Sequence, residues 1–269
     1  MSSDLIQTLA ARLAQVPGVE GVTLGGSRAR GQAQPDSDID LGMYYRAETP
    51  FDLVALSALC RELDDSGNAE PTPTGGWGLW VDGGINLTTQ GQRVDFIYRE
   101  LGRVDKSVQD ALAGKIKLHA QTLHPHGIHS HHYAAELALG QILVDESGVL
   151  AALKARLGGY PTTLKAALIA HYDWQPDFWL YSVAKGHKRG DVHYAQGCAY
   201  QVVMAMVQVI CARGEVWLTN EKGAVALASG VLGAPTDFEA RVNAALTALD
   251  TAALQTLASE LNGPVSRWP

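Results

Sequence analysis

With 269 residues, 46% of them hydrophobic and 18% charged, the chain has the composition of a soluble globular protein of one large or two ordinary domains, not of a disordered one. A net charge of −7 and a pI near 5.7 leave no surplus of Lys and Arg to neutralise phosphates along a strand, so nucleic acid is not an expected partner. Cys60, Cys198 and Cys211 are odd in number and far apart, which excludes a disulfide framework or a Cys-x-x-Cys zinc site and suits a reducing cytoplasm.

In chain order, residues 3–15 put Leu5, Leu9, Leu13 and Val16 on one helical face, and Pro17-Gly18 stop that helix. The segment has no basic region followed by an apolar run, so it is read as a helix of the fold and not as a leader. Val22–Leu24 reads as a short buried strand running into Gly25-Gly26 and Ser27, a turn whose backbone can approach a ligand closely. In Asp38-Ile39-Asp40-Leu41 the alternation is that of a strand, with the two carboxylates on one face and the apolar pair on the other. Phe51 to Leu63 has helical spacing, residues 64–76 form a Gly/Pro-rich loop, and Ile85–Thr89 with Arg93–Tyr98 make a hairpin about Gln90-Gly91. Beyond residue 115 the spacing is helical over 134–143, 149–157, 162–170, 174–184, 192–211, 221–228 and 238–261, with no strand expected after Tyr98. Cys198 to Ala212 is the most apolar stretch, but it is short and carries Gln201 and Gln208, which predicts a buried bundle helix and no membrane span. The expected fold is therefore α/β plus all-α, a small mixed-sheet domain over 1–115 followed by a helical bundle over 116–269.

Two carboxylates side by side repel each other unless a cation lies between them, and Mg²⁺ favours carboxylate oxygens together with substrate phosphates. The Gly26-Ser27 turn offers backbone N–H groups and a hydroxyl to such a phosphate. Gly26, Ser27, a gap of ten residues, then Asp38 and Asp40 resembles the nucleotidyltransferase superfamily that includes DNA polymerase beta and the aminoglycoside nucleotidyltransferases. The resemblance implies a third carboxylate on a later strand, assigned to Asp95 in Val94-Asp95-Phe96-Ile97, with Asp82 as the fallback. A small α/β domain followed by helices is nearest in layout to the streptomycin/spectinomycin type. In that type a late Ser-Lys-x-x-Ala segment sends its lysine to the nucleotide, and Asn220-Glu221-Lys222-Gly223-Ala224 is similar to it, which implies a phosphate role for Lys222. The implied reaction is a Mg²⁺-dependent transfer of a nucleoside monophosphate, AMP the expected one, from an NTP to a hydroxyl of a small molecule or protein, with release of pyrophosphate. The alternative is a non-catalytic nucleotide-binding or antitoxin-like partner. Neither the acceptor nor the oligomeric state can be read from the sequence.

Three features stand outside this scheme. His124, His126, His129, His131 and His132 crowd one stretch, but their spacing matches no standard metal motif, and a structural or substrate-facing role is expected. Lys185, Lys188 and Arg189 read as a solvated basic turn, and Trp77 and Trp80 as core aromatics near the hairpin.

Overall fold

The computed structural model describes residues 2–31, 33–34 and 36–262. In order, α1 (Ser2–Ala14) leads into β1 (Val19–Leu24), the one-turn α2 (Gly26–Ala29), β2 (Ile39–Tyr45) and α3 (Leu53–Leu63). The hairpin β3 (Gly84–Thr89) and β4 (Gln92–Glu100) precedes α4 (Leu101–Leu112), β5 (Leu118–Gln121), β6 (His124–His129), α5 (His132–Leu139) and β7 (Gln141–Val144). Helices α6 (Val149–Leu157), α7 (Thr162–Tyr172), α8 (Gln175–Lys188) and α9 (Val192–Arg213) follow, then α10 (Ala224–Ser229), α11 (Phe238–Ala248) and α12 (Thr251–Asn262).

The alternation read from the sequence is the pleat of a five-stranded sheet ordered β3-β4-β2-β1-β7. Strands β2 and β4 run parallel, and the remaining neighbours are antiparallel. Val22, Leu24, Ile39, Leu41, Met43, Val94, Phe96 and Tyr98 share one face, buried with Leu9 and Leu13 of α1 and Leu56 and Cys60 of α3. Burying each such side chain contributes about 1.5–3 kcal/mol, so this layer anchors the sheet and leaves its opposite face to carry polar groups. Helix α3 is started by Asp52, whose carboxylate accepts from the N–H groups of Val54 (2.8 Å) and Ala55 (3.0 Å). Asp52→Ala is expected to cost about 1 kcal/mol of stability, seen as a lower urea midpoint at unchanged slope.

At the end of α3 two aspartates fasten the chain to the hairpin. The Asp65 carboxylate accepts from the N–H groups of Gln90 and Gly91, both at 2.8 Å, and Asp64 Oδ1 accepts from Thr88 N–H at 3.1 Å. Asp64 Oδ2 accepts from Ser66 Oγ and from Asn68 N–H, so the 64–68 loop is held from both ends.

The structure corrects the sequence reading in four places. Three strands follow Tyr98, and the helix expected over 134–143 stops at Leu139 because Gly140 turns extended (φ −67°, ψ 150°) and Gln141-Ile142-Leu143-Val144 pairs with β1 as β7. Helix α4 was not expected, although Leu101, Val104, Val108 and Ala111 are all buried at helical spacing. The helix expected from Glu221 begins at Ala224. The long helix expected over 238–261 is two helices, broken where Leu249 turns left-handed (φ 51°) and Asp250 caps α12 through Ala253 N–H.

The chain divides into two compact units, one of Met1–Asp110, Leu118–Leu123 and Ile128–Gly159, the other of Ala111–Lys117, His124–Gly127 and the chain from Tyr160. Much of the segment beyond 116 that the sequence reading placed with the helices thus belongs to the sheet unit, because β7 extends its sheet. The helical unit is built around α9, which by length and composition is apolar enough to cross a membrane, yet its side chains are mostly buried within the protein.

Candidate functional site

Strand register assembles the polar face of the sheet. In the parallel β2–β4 pair Asp40 lies directly beside Asp95, and in the antiparallel β3–β4 pair Asn86 lies beside Asp95 on its other flank. Asp38 is two residues before Asp40, at the entry to β2, and so projects to the same face. The three carboxylates expected from sequence are therefore neighbours on one face of one sheet.

The turn after β1 is fitted to this face. Gly25 N–H donates to the Asp40 carbonyl at 2.8 Å, fixing the turn against β2. Gly26 has φ +60°, and a Cβ there would sit 1.8 Å from Asp40 Oδ2; the carboxylate occupies the space that any other residue would fill. The N–H groups at the start of α2 lie outside that turn's own hydrogen-bond ladder, with Ser27 half-buried beside them. From the same turn, Arg28 Nε donates to the Asp38 carbonyl at 3.0 Å and Nη2 to the Ser37 carbonyl at 2.6 Å, which sets the backbone that carries Asp38.

Charge on this face is only partly balanced. Asp40 has its pKa raised, first by burial and then by Asp95, Asp38 and Glu136, with Arg30 opposing. Asp95 is raised by burial and by Asp38, against the lowering effects of Asn86 and Arg93. Asn86 Nδ2 donates to Asp95 Oδ1 at 2.6 Å. Asp38 Oδ1 lies 2.7 Å from Arg93 Nε yet accepts no aligned hydrogen bond. These are hard oxygen donors short of positive charge, which fits Mg²⁺; that ion takes one or two carboxylates and leaves the rest of its shell to phosphates and water. Among the described residues no group of three or more His, Cys, Asp or Glu side chains is placed to hold a metal ion by itself.

Residues 6–117 match the family model described as a nucleotidyltransferase domain. The chain carries an N-terminal nucleotidyltransferase domain. Residues 128–222 match a second model, described as a domain of unknown function (DUF4037). The nucleotidyltransferase-like protein from Exiguobacterium sibiricum 255-15 aligns over 98% of this chain and 77% of its own at 12% identity, with a TM-score of 0.39, too slight a likeness to bear on function. No match was found among curated proteins. The matches reach the nucleotidyltransferase superfamily and not its aminoglycoside-type branch.

Within the nucleotidyltransferase domain Asp82 has a different part from the three carboxylates. It is buried, accepts from Tyr45 Oη and from Gly75 N–H at 3.1 Å, and pairs with Arg103 at 3.3 Å, which makes it an anchor for the loop before β3. Trp80 stacks on His119 (centroids 4.2 Å apart), and the Trp77 carbonyl accepts from Gln121 Nε2 at 2.9 Å, so both tryptophans pack within the sheet unit. Lys222 belongs to the helical unit, exposed on the turn before α10, where its N–H donates to Asn220 Oδ1 at 2.8 Å. Lys185, Lys188 and Arg189 are exposed at the C-terminal end of α8, where cations are favoured by the helix dipole.

The histidines serve separate purposes. In the helical unit His124 Nδ1 lies 3.0 Å from Glu221 Oε2, and His126 Nδ1 lies 3.1 Å from Gln201 Oε1. In the sheet unit His131 is buried and its pKa is pushed down to about 3 by that burial, which keeps it neutral. His132 Nε2 lies 3.3 Å from Glu136, the carboxylate that grips Arg99 through bonds of 2.6 and 2.7 Å. Asn86, Arg28 and the Arg99–Glu136 pair were all missed from sequence; for Asn86 the hairpin register about Gln90-Gly91 held the signal.

Asp40 and Asp95 also set a stability prediction. A carboxyl whose pKa is raised by folding costs stability as pH rises from its unfolded value near 3.8 through the folded one. Asp40→Asn should therefore raise the melting temperature of the metal-free protein at pH 7, and the gain should vanish below about pH 4, as measured by thermal unfolding in chelator.

Proposed function

We propose that the protein transfers a nucleoside monophosphate, AMP the expected one, from an NTP to a hydroxyl of a small molecule or protein, with release of pyrophosphate. The observation that carries the reading is the register that sets Asp40 beside Asp95, with Gly26 pressed against the Asp40 carboxylate. Gly26 and Ser27 would bind the β- and γ-phosphates through backbone N–H groups and the hydroxyl. Asp38 and Asp40, with Asp95, would hold Mg²⁺, which supplies charge neutralisation on the phosphates and acidifies a nearby hydroxyl. Asn86 Nδ2 donates to Asp95 Oδ1, which would leave Oδ2 for the acceptor. The acceptor oxygen attacks the α-phosphorus, a new P–O bond forms, the bond to the bridging oxygen breaks, and pyrophosphate leaves with that electron pair. The hydroxyl proton passes to Asp95. Catalysis here is mostly positioning and charge balance.

The proposal places the reaction in the cytoplasm, in keeping with three free, buried cysteines. Its test is incubation with each α-labelled NTP and Mg²⁺, alone and with a cell extract. Label should move to an acceptor, ATP the preferred donor, and Asp40→Asn should abolish the transfer; no transfer from any NTP would refute it.

A further inference from the structure

We infer that the cleft on the β3 side of Asp95 receives the acceptor, and that it is built for a small, non-anionic molecule rich in hydroxyl groups. The inference rests on the proposed transfer and assigns a substrate class to it. Sheet order lays the functional groups in a row: the Gly25–Ser27 turn leaves β1, Asp38 leads into β2 and Asp40 lies in it, Asp95 belongs to β4 and Asn86 to β3. With the phosphates at the β1 end, the side left for the acceptor is the β3 end. An open cleft of about 490 Å³ lies there, lined by Asp38, Asp95, Arg93, Asn86, Thr88 and Ser66 among others. That volume is in the range of about 300–1,000 Å³ typical of small-molecule sites.

The lining selects a chemistry. Ser66, Asn68, Asn86 and Thr88 supply neutral donors and acceptors, and Asp38, Asp64 and Asp95 supply negative charge. Among the described residues Arg93 is the only cation in the lining, and it is paired with Asp38. With Mg²⁺ offsetting Asp38 and Asp95, the Asp64 carboxylate and the bound triphosphate would still repel an anionic acceptor. Among the described residues the lining has no aromatic ring, so they offer no platform on which a base would stack. What remains is a hydroxylated molecule whose groups hydrogen-bond along the wall.

The wall is rigid where it must be. Asp64 ties the 64–68 loop to β3 through Thr88 N–H, and Asp65 ties it to the hairpin tip. Asn86 and Thr88 alternate along β3 and so share the face that leads to Asp95. Among the described residues Asp95 Oδ1 is taken by Asn86, which leaves Oδ2 for the proton of the arriving hydroxyl.

The test uses the full chain, labelled ATP with Mg²⁺, and glycerol, ribitol, glucose and myo-inositol as acceptors, with glucose 6-phosphate and a short oligonucleotide as anionic counterparts. MgATP binding is measured in parallel by calorimetry. Label should pass to at least one neutral polyol and not to its anionic counterparts. Thr88→Tyr, which fills the cleft, should keep MgATP binding and lose transfer. Thr88→Val, which keeps the shape, should raise the KM for the polyol about 2- to 10-fold at nearly unchanged kcat, the effect of one neutral hydrogen bond. Wild-type transfer rates in both variants would place the acceptor elsewhere. Transfer to the anionic probes, or to none of the polyols while MgATP binds, would overturn the substrate class but leave the nucleotide site standing. A wild type that binds no MgATP would remove the proposed transfer itself, and this inference with it.

Discussion

On the proposed reaction, Asp95→Asn is expected to lower turnover by roughly 10²–10⁴-fold, the effect of losing a positioned base, while MgATP should still bind. The division arises because Asp95 has its own place on the face. The Gly25–Ser27 turn presses on Asp40 and is wired to Asp38 through Arg28, so Asn at position 95 leaves the turn's contacts intact. Asparagine keeps an oxygen for Asn86 Nδ2, and the side chain stays in register beside Asp40. Affinity and pyrophosphate release are measured on the same preparation. Equal turnover in mutant and wild type would remove Asp95 from the reaction, and the buried anchor Asp82 offers no replacement.

Glu136→Ala destabilises the protein by about 3–5 kcal/mol, the cost of stranding one charge of a buried pair. Arg99 is buried on the carboxylate face of β4, and two of its nitrogens are held by Glu136 while Nη1 donates to the Tyr98 carbonyl at 2.8 Å. The guanidinium also lies 5.1 Å from the Tyr133 ring centroid. Without Glu136 no side-chain carboxylate among the described residues pairs with Arg99. Burial alone would raise the Glu136 pKa, but Arg99 and His132 hold it well below its ordinary 4.5. A depressed carboxyl adds stability that is complete above its unfolded pKa and is lost as pH falls toward the folded one. The gap between wild type and variant in urea unfolding should therefore shrink as pH falls below about 4.5. A gap that widens below that pH would contradict the pairing.

Much of the site was legible because it follows from strand alternation. Asp38 and Asp40 share a face by the period of two, Asp95 alternates with Val94 and Phe96, and Gly26 is favoured by its left-handed φ beside the Asp40 carboxylate. The register that makes Asp40 and Asp95 neighbours depends on β2 and β4 running parallel, a long-range choice that no local pattern specifies. Strand β7 was hidden because Ile142-Leu143-Val144 is a short apolar run, which fits a helix end as well as a strand until it finds β1. Helix α4 was overlooked because its many polar residues hid a clear apolar stripe at Leu101, Val104 and Val108. The partners of charge, Arg93 for Asp38 and Glu136 for Arg99, join residues 55 and 37 positions apart, and only the folded sheet brings them together.

Calorimetric titration of ATP into the protein, with Mg²⁺ and with chelator, for wild type and Asp40→Asn, tests most directly whether these carboxylates form a metal–nucleotide site. Wild type should bind ATP with Mg²⁺ and far more weakly without it, and Asp40→Asn should lose that dependence on the ion. Equal binding by the two proteins, with or without Mg²⁺, would mean that the carboxylate face is not where the nucleotide and its cation are held.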